Sequence, residues 1–200
     1  MDIKELSKNK LIWLPELGIG YYEVEESPYD EHYFNKYASY EGSAICNQLN
    51  KFRVDLVNKH HSGTVLDVGI GSGSFIMAHG NAFGTDINPA AIRWLKDHRL
   101  YQEPDKEEAV TFWDSFEHIK DPSCVLNHVS KWVFMSIPLF DSYSHVLSSK
   151  HYRKDEHYWY FTFNGLCLYM KMHGFDFIEF NRGETDIGRE DIGSFVFKRK

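Results

Sequence analysis

The feature that most constrains the fold of this chain is a glycine-rich segment that directly follows a short apolar run. The run TVLDV spans residues 64–68, and glycines follow it at positions 69, 71 and 73. Residues 74–79 leave room for only a short helix after them. A strand, a glycine loop and a helix in this order open a β-α-β unit. Such a loop lets the backbone approach a polar or anionic ligand beside a helix N-terminus.

The alternation of strand and helix patterns continues along the chain. Strands are predicted over residues 82–87, 109–114 and 132–137, and helices over 43–60, 90–98 and 164–173, with a short helix opening at 121–122. The C-terminal runs FDFIEF and SFVFKRK predict an antiparallel pair at the sheet edge. These patterns predict an α/β fold, a three-layer sandwich with a mostly parallel sheet of six or seven strands and an antiparallel edge strand.

The first 42 residues are rich in tyrosine, glutamate and turn-forming residues and show no clean periodicity. Residues 1–60 therefore predict a small N-terminal cap with a leading helix, ahead of an α/β domain over residues 61–200. The chain is predicted to be a single domain overall. Two interpretations of Tyr29, Tyr33 and Tyr37 stay open. They can cover the mouth of a ligand site, where aromatic rings attract a cation, or they can pack the cap onto the sheet.

Composition limits the classes of function. A formal net charge of −7 disfavours binding to nucleic acid or to an anionic membrane. The three cysteines, Cys46, Cys124 and Cys167, form no CxxC pair, which favours a reducing compartment. No apolar stretch reaches the length of a membrane span, and the N-terminus lacks a signal-peptide pattern. We therefore predict a cytoplasmic protein with no nucleic-acid or membrane partner, and homo-oligomerisation stays open.

The glycine loop has the pattern G-x-G-x-G, because Ser74 stands where a dinucleotide fingerprint requires its third glycine. The segment VLDVGIGSG resembles motif I of class I S-adenosylmethionine-dependent methyltransferases, which have a Rossmann-like fold. The resemblance implies S-adenosylmethionine as cofactor and S-adenosylhomocysteine as product. It assigns the methionine portion of the cofactor to Asp67, Gly69, Ile70, Gly71 and Gly73, with Asp67 binding the ammonium group.

A second acidic residue, Asp86, ends the next predicted strand, in GTDINP. Its two carboxylate oxygens can accept hydrogen bonds from both ribose hydroxyls. Ile87 and Asn88 would then flank the adenosine. Taken singly, the glycine loop also fits an ordinary tight turn, and Asp86 an ordinary helix N-cap. Together the two features favour a cofactor site.

The segment TFWDSFEHIKDP is similar to the D-x-x-E-H-x-x-D-P motif of the branch that contains ubiquinone-biosynthesis-like O-methyltransferases, also grouped as methyltransferase types 11 and 23. The resemblance places Asp114 beneath the cofactor, and Glu117 and His118 on the substrate side. His118 is then a candidate general base, with Asp114 beside it. The same three side chains could hold a divalent ion, as in some quinone-directed relatives, but a hydrogen-bonded helix start is favoured and no metal is predicted.

The later segment HYRKDEHYWYFTFNGLCLYMKMHGFDFIEF resembles the substrate-pocket region of the same branch. It suggests Arg153, His157, Tyr158 and Tyr160 as pocket residues, with ordinary aromatic packing as the alternative. The whole resemblance covers roughly residues 64–180. The chain departs from it between His98 and Val110, where there is little room for the usual third strand, so LYQEP is either a vestigial strand or a loop.

These features predict an S-adenosylmethionine-dependent methyltransferase that acts on an oxygen, or else a nitrogen, of a small molecule. The alternative is a catalytically degenerate protein that binds the cofactor and acts through a protein partner. Methylation of nucleic acid is disfavoured, because DSFE stands where such enzymes carry an N/D-P-P-Y/F motif.

Overall fold

The computed structural model describes residues 10–25 and 29–200, and within them it contains nine strands and eight helices. The strands are β1 (Ile12–Leu14), β2 (Ile19–Tyr21), β3 (Val65–Val68), β4 (Ala82–Thr85), β5 (Glu107–Trp113), β6 (Val129–Pro138), β7 (Trp159–Phe161), β8 (Phe175–Asn181) and β9 (Ile192–Arg199). The helices are α1 (Glu31–Ala38), α2 (Ala44–His60), α3 (Ser74–His79), α4 (Pro89–Asp97), α5 (Ser123–Leu126), α6 (Tyr143–Ser148), α7 (Phe163–Met172) and α8 (Gly183–Asp186). A single 3₁₀ turn is described, at Phe116–His118.

The described residues form a central six-stranded sheet with the order β4-β3-β5-β6-β9-β8. The pairs β3–β4, β3–β5 and β5–β6 are parallel. Strand β9 runs antiparallel to both β6 and β8, so the two C-terminal strands form the predicted antiparallel pair, with β8 on the edge. This arrangement confirms the predicted α/β, mostly parallel sheet.

Apolar side chains cover both faces of this sheet, as expected for a three-layer sandwich. Leu66 and Phe112 belong to a core cluster that also includes Leu166 of α7. Val65 and Trp113 belong to a second cluster, which includes Leu95 of α4. Neighbouring residues of one strand thus enter different clusters, because successive side chains of a strand point to opposite faces.

The place of the usual third strand is taken by a short segment beside β4. Tyr101 forms an isolated parallel bridge with Gly84. The Gly84 backbone N–H donates to Leu100 O at 2.8 Å, and the Gln102 N–H donates to Gly84 O at 3.0 Å. The LYQEP segment therefore covers the edge of β4 with a single bridge, and the described sheet has six strands.

The predicted cap contributes to a second, smaller sheet with the order β1-β2-β7. Strand β2 pairs antiparallel with β7, with Ile19 opposite Phe161. Leu11 and Tyr22 are buried against Phe140 and Tyr160. Part of the segment predicted as a lid is thus packed into the body of the protein, next to the start of α7.

Helix α2 begins where the sequence predicts. The Ser43 side chain accepts a hydrogen bond from the Cys46 N–H, which confirms Ser43 as its N-cap.

Among the described residues, no helix combines the length and apolar character needed to cross a bilayer. A cytoplasmic location stays a prediction.

Candidate active site

The three glycines after β3 all have positive φ, of 78° at Gly69, 57° at Gly71 and 84° at Gly73. A Cβ atom at Gly69 would lie 2.6 Å from the Ser115 Cβ, and one at Gly73 would lie 2.5 Å from the Trp94 ring. Within the described part of the chain, a Cβ at Gly71 would meet no atom within 4 Å. Gly69 and Gly73 are therefore required for close packing, whereas Gly71 faces open space that a ligand can fill.

Asp86 lies at the end of β4 and is held by two backbone groups. The Ile70 N–H donates to Asp86 Oδ2 and the Asn88 N–H donates to Asp86 Oδ1, each at 2.8 Å. Burial raises the pKa of its carboxyl. Each oxygen of the ionised group keeps a further lone pair for a hydroxyl donor, which fits the predicted ribose contact.

Ile87 and Asn88, which the sequence places together beside the adenosine, differ in the structure. Ile87 is 70% exposed and offers an apolar surface. The Asn88 side chain is buried: its carbonyl caps α4 by accepting from the Ala90 N–H, and its amide donates to Asp30 O. The Asn88 side chain thus serves the helix and the cap, and of the two only Ile87 presents an exposed surface.

Asp67 is buried in β3 beside Thr111 of β5. The Thr111 hydroxyl donates to Asp67 Oδ1 at 2.6 Å. Burial raises the pKa of Asp67 to about 7, although the hydrogen bond and the charge of Arg53 act in the opposite direction. At neutral pH this carboxyl is therefore divided between its neutral and ionised forms.

Asp114 follows β5 in the left-handed region, with a φ of 56°, and two arginines hold its carboxylate. Arg189 bonds both carboxylate oxygens, and Arg53 Nη2 donates to Oδ2 at 3.1 Å. Burial alone would raise the pKa of Asp114, but Arg189 and Arg53 keep it below its usual value. Asp114 is thus engaged in an ionic network, and its predicted contact with the cofactor and its catalytic role stay predictions.

Glu184 of α8 is the other acid of this network, and its side chain is fully buried. It accepts hydrogen bonds from Arg53 Nε at 2.7 Å, Arg189 Nη1 at 2.6 Å and the Ser136 hydroxyl at 2.6 Å. None of the sequence motifs includes Arg53, Glu184 or Arg189. Arg53 lies more than 130 residues from Glu184 and Arg189, so no local pattern marks them as partners.

Glu117, His118 and His157 form a second polar cluster, where the 3₁₀ turn meets the segment that precedes β7. Glu117 is 1% exposed, and neither of its carboxylate oxygens has a hydrogen-bond partner among the described residues. His118 Nε2 lies 3.9 Å from Glu117 Oε1, and the His118 and His157 ring centroids are 4.6 Å apart. The Tyr158 N–H donates to Glu117 O at 2.9 Å, which joins the two segments.

Burial favours the uncharged form of all three groups. It raises the pKa of Glu117 well above its usual value, helped by the charge of Asp114. It lowers the pKa of His118 to about 4 and that of His157 well below its usual range. Burial thus shifts Glu117 towards its protonated form and both imidazoles towards their neutral forms. His118 keeps a lone pair but is a weaker base than an exposed histidine, and its role as general base stays a prediction.

The N-terminal tyrosines cover this cluster. The Tyr29 hydroxyl and His118 Nδ1 are 2.6 Å apart, and the Tyr33 hydroxyl donates to Glu156 Oε2 at 3.2 Å. Tyr37 packs against Tyr33, with ring centroids 4.9 Å apart. Since Asn88 binds the backbone of Asp30, residues 29–30 lie between the end of β4 and the 3₁₀ turn. The tyrosines therefore cover the Glu117 cluster, and their role as a lid over a ligand stays a prediction.

The predicted pocket residues of the later segment separate into two groups. His157 belongs to the cluster, and Arg153 Nη1 donates to Glu156 Oε2 at 3.1 Å, close to the tyrosines. Tyr160 is fully buried, with its ring 5.7 Å from that of Phe140 and 5.9 Å from that of His157, and its role in a pocket stays a prediction. The backbone of Tyr158 supports Glu117, while its ring packs near Tyr21 at 6.3 Å.

A surface groove of about 500 Å³ runs between α2 and α3. Its walls include Cys46, Asn50, Ser74 and Trp94. It borders the helix that follows the glycine loop, and the residues of the Glu117 cluster do not line it. Trp94 both lines this groove and packs against Gly73, so the groove adjoins the end of the glycine loop.

In a comparison with known protein families, the chain matches a family model described as a methyltransferase domain over residues 29–179. No sequence among the curated proteins matches the chain. Solved structures supply further matches of the fold. An S-adenosylmethionine-dependent methyltransferase from Clostridium acetobutylicum superposes with a TM-score of 0.59 at 14% identity, covering 83% of this chain and 98% of that one.

Two other solved structures are similar to a comparable degree. One is an S-adenosylmethionine-dependent methyltransferase from Thermotoga maritima, described as a possible histamine N-methyltransferase, with a TM-score of 0.58, 14% identity, and coverage of 85% of this chain and 98% of that one. The other is the Burkholderia thailandensis 1,6-didemethyltoxoflavin-N1-methyltransferase with bound S-adenosylhomocysteine, with a TM-score of 0.55, 10% identity, and 84% of each chain covered. Because the family model spans most of the sequence, this chain belongs to the methyltransferase-domain family and is a class I, S-adenosylmethionine-dependent methyltransferase.

Proposed function

We propose that this enzyme methylates an oxygen atom of a small molecule that binds against Glu117, His118 and His157. The observation that carries the proposal is that these groups are buried and polar, and that several of their atoms lack partners among residues 10–25 and 29–200. A hydroxyl group can both donate and accept hydrogen bonds, so it can pair with the unpartnered Glu117 oxygens and with an imidazole nitrogen. A charged acceptor would lose its hydration here without a counter-charge.

The residues after β3 and β4 fit the cofactor, because Gly71 faces open space and Asp86 keeps acceptor capacity. In this proposal Asp67 binds the ammonium group, Gly69, Ile70, Gly71 and Gly73 follow the methionine portion, Asp86 holds the ribose and Ile87 contacts the adenine. When bound, S-adenosylmethionine supplies a methyl group already activated on a sulfonium. The protein's main task is then to align the acceptor with that methyl group and to exclude water.

Two contacts support a common site for cofactor and acceptor. The Ser115 hydroxyl donates to Val68 O at the start of the glycine loop, and Glu117 lies two residues further on. Tyr29 bonds His118. Burial raises the pKa of the Tyr29 hydroxyl, and the charge of the nearby Asp86 adds a smaller contribution in the same direction. In this proposal Tyr29, Tyr33 and Arg153 close the acceptor side, and their ordered contacts keep water out.

An acceptor screen with the purified protein tests the proposal. Release of S-adenosylhomocysteine is measured with matched sets of small phenols, alcohols and amines, after calorimetric titration with S-adenosylmethionine, S-adenosylhomocysteine and, as a control, NAD. Turnover with hydroxyl compounds alone supports oxygen methylation. Turnover confined to the amines would contradict it and would favour a nitrogen acceptor, such as the N1 position that the name of the Burkholderia protein gives for its own acceptor. Cofactor binding without turnover on any acceptor would favour the degenerate protein that acts through a partner.

Replacing His118 with alanine should lower kcat at least tenfold while leaving the Kd for S-adenosylhomocysteine within about twofold. The physical reason is that His118 lies on the acceptor side and contacts no residue of the glycine loop that the structure describes. Steady-state kinetics with the acceptor from the screen and calorimetry with the product check the two parts. The matched control is His128→Ala at an exposed position. An unchanged kcat for His118→Ala would remove this residue from the mechanism.

Affinity for S-adenosylhomocysteine should fall as the pH drops through 7, by roughly tenfold between pH 8 and pH 6. Burial raises the pKa of Asp67 to about 7, and only its ionised form attracts the ligand's ammonium group. Calorimetry across this range measures the effect, and Asp67→Asn should bind more weakly with a flat profile. Without ligand the sign reverses: the folded state holds the Asp67 proton more tightly than the unfolded state, so stability is lost as the pH rises through 7. An affinity independent of pH in the wild type would contradict the assignment of Asp67.

A further inference from the structure

We propose that Glu117, His118 and His157 bind a divalent transition-metal ion, for which zinc is the most direct probe. Each residue can offer one ligand atom, and these atoms all lie within 4.8 Å of one another. Two imidazoles and one carboxylate form a ligand set that suits zinc, cobalt or nickel better than magnesium or calcium. The ion's binding does not depend on the proposed acceptor, whereas its catalytic use rests on the proposed function.

The strongest observation is the state of the Glu117 side chain. A buried carboxyl group without a hydrogen bond costs several kcal/mol, so buried polar atoms are nearly always paired. Both Glu117 oxygens and His157 Nδ1 are buried and lack partners in the part of the chain that the structure describes. The hydrogen-bonded helix start that the sequence favoured therefore does not account for Glu117. A cation between Glu117 and the two histidines would satisfy these atoms together.

The outer partner of His118 is arranged as in metal sites. His118 Nδ1 is bonded to the Tyr29 hydroxyl, which leaves Nε2 on the side of Glu117. His157 Nδ1 is buried and unpaired among the described residues, so it is available as a ligand atom. A ligating histidine usually uses its second ring nitrogen for such an outer contact, which fixes the tautomer and the ring orientation.

Asp114 is not part of this set, although the sequence motif grouped it with Glu117 and His118. Its carboxylate is held by Arg189 and Arg53, and two cations beside it oppose a third. His157 stands in its place, contributed by a segment that the motif does not include. Three protein ligands leave open coordination positions, where an acceptor oxygen can bind and be acidified as a metal-bound water is. With an ion bound, His118 would serve as a ligand and not as the general base.

Zinc chloride and cobalt chloride are titrated into the full-length protein after treatment with EDTA and dialysis. We expect one equivalent of zinc to bind with micromolar or tighter affinity, and the cobalt-loaded protein to show visible absorption bands of a site with nitrogen and oxygen ligands. Glu117→Gln and His157→Gln should each weaken zinc binding by at least about tenfold. The matched control, His128→Gln, removes an exposed histidine and should bind zinc as the wild type does.

Zinc binding that is absent, or that survives in both Glu117→Gln and His157→Gln, would overturn the proposal. Because a variant can fail to fold, a second measurement uses the wild type alone: X-ray absorption of the zinc-loaded protein should count two imidazole ligands, and a count of none or one would also overturn it. Titration with S-adenosylhomocysteine, done separately, distinguishes the two proposals. Product binding without zinc binding removes the metal site and leaves the proposed methylation standing.

Discussion

Substituting Asp86 with alanine should weaken the binding of S-adenosylhomocysteine by roughly 100-fold or more. In the proposed site this carboxylate accepts hydrogen bonds from two ribose hydroxyls, and hydrogen bonds to a charged group contribute about 1.5–3 kcal/mol each. The substitution also removes the acceptor for the Ile70 and Asn88 N–H groups, which hold the glycine loop and the start of α4. Isothermal calorimetry with the product measures the loss without any knowledge of the acceptor.

The control for this variant is Asp97→Ala, which removes an exposed carboxylate at the end of α4 and keeps the net charge matched. Its affinity should equal that of the wild type. Thermal unfolding of both variants shows whether Asp86→Ala is still folded. If the folded Asp86→Ala protein bound the product within about threefold of the wild type, Asp86 would not be the ribose ligand.

Glu184→Ala should lower the free energy of unfolding by about 3–5 kcal/mol, the range found when one partner of a buried ion pair is removed. Glu184 is fully buried and bonds Arg53, Arg189 and Ser136. Its loss would leave two guanidinium groups with one carboxylate, that of Asp114, in a region of low polarity. Urea denaturation followed by circular dichroism measures the change.

An exposed ion pair provides the comparison for Glu184. Lys51 and Asp55 lie 2.6 Å apart on α2, with side chains 77% and 63% exposed. Lys51→Ala should change the free energy of unfolding by less than about 0.5 kcal/mol, because solvent screens such pairs. A loss below about 1 kcal/mol for Glu184→Ala would mean that the arginines find other partners or water, and that the network is not a main source of stability.

The cofactor side of the site could be predicted because its information is local. Asp67, Gly71 and Asp86 lie on two consecutive strand ends, and the carboxyl ends of neighbouring parallel strands meet at one edge of the sheet. A glycine pattern and an acidic residue at fixed offsets are therefore enough to locate the loop. The missing third strand could also be anticipated, since the length between His98 and Val110 is set by the chain alone.

The acceptor side could be predicted only in part. The motif placed Glu117 and His118 together, but which side chains complete their surroundings depends on pairing between distant segments. Asp114 has the residue type that the motif expects, but its carboxylate binds Arg53 and Arg189. These arginines come from α2 and from the segment after α8, so the motif itself could not predict the contacts. Hydrophobic periodicity carries no information on such charge pairing.

The β2–β7 pairing has a consequence for the order in which the two halves of the site form. Residue 19 pairs with residue 161, so this contact closes a loop that contains most of the chain. Closing so long a loop costs entropy before any contact repays it, and contacts of large sequence separation slow folding. The proposed cofactor side joins neighbouring segments, whereas the proposed acceptor side needs Tyr29, Glu117 and His157 brought together around that closure. A folding chain would thus acquire the means to hold its methyl donor before it acquires a place for the molecule to be methylated.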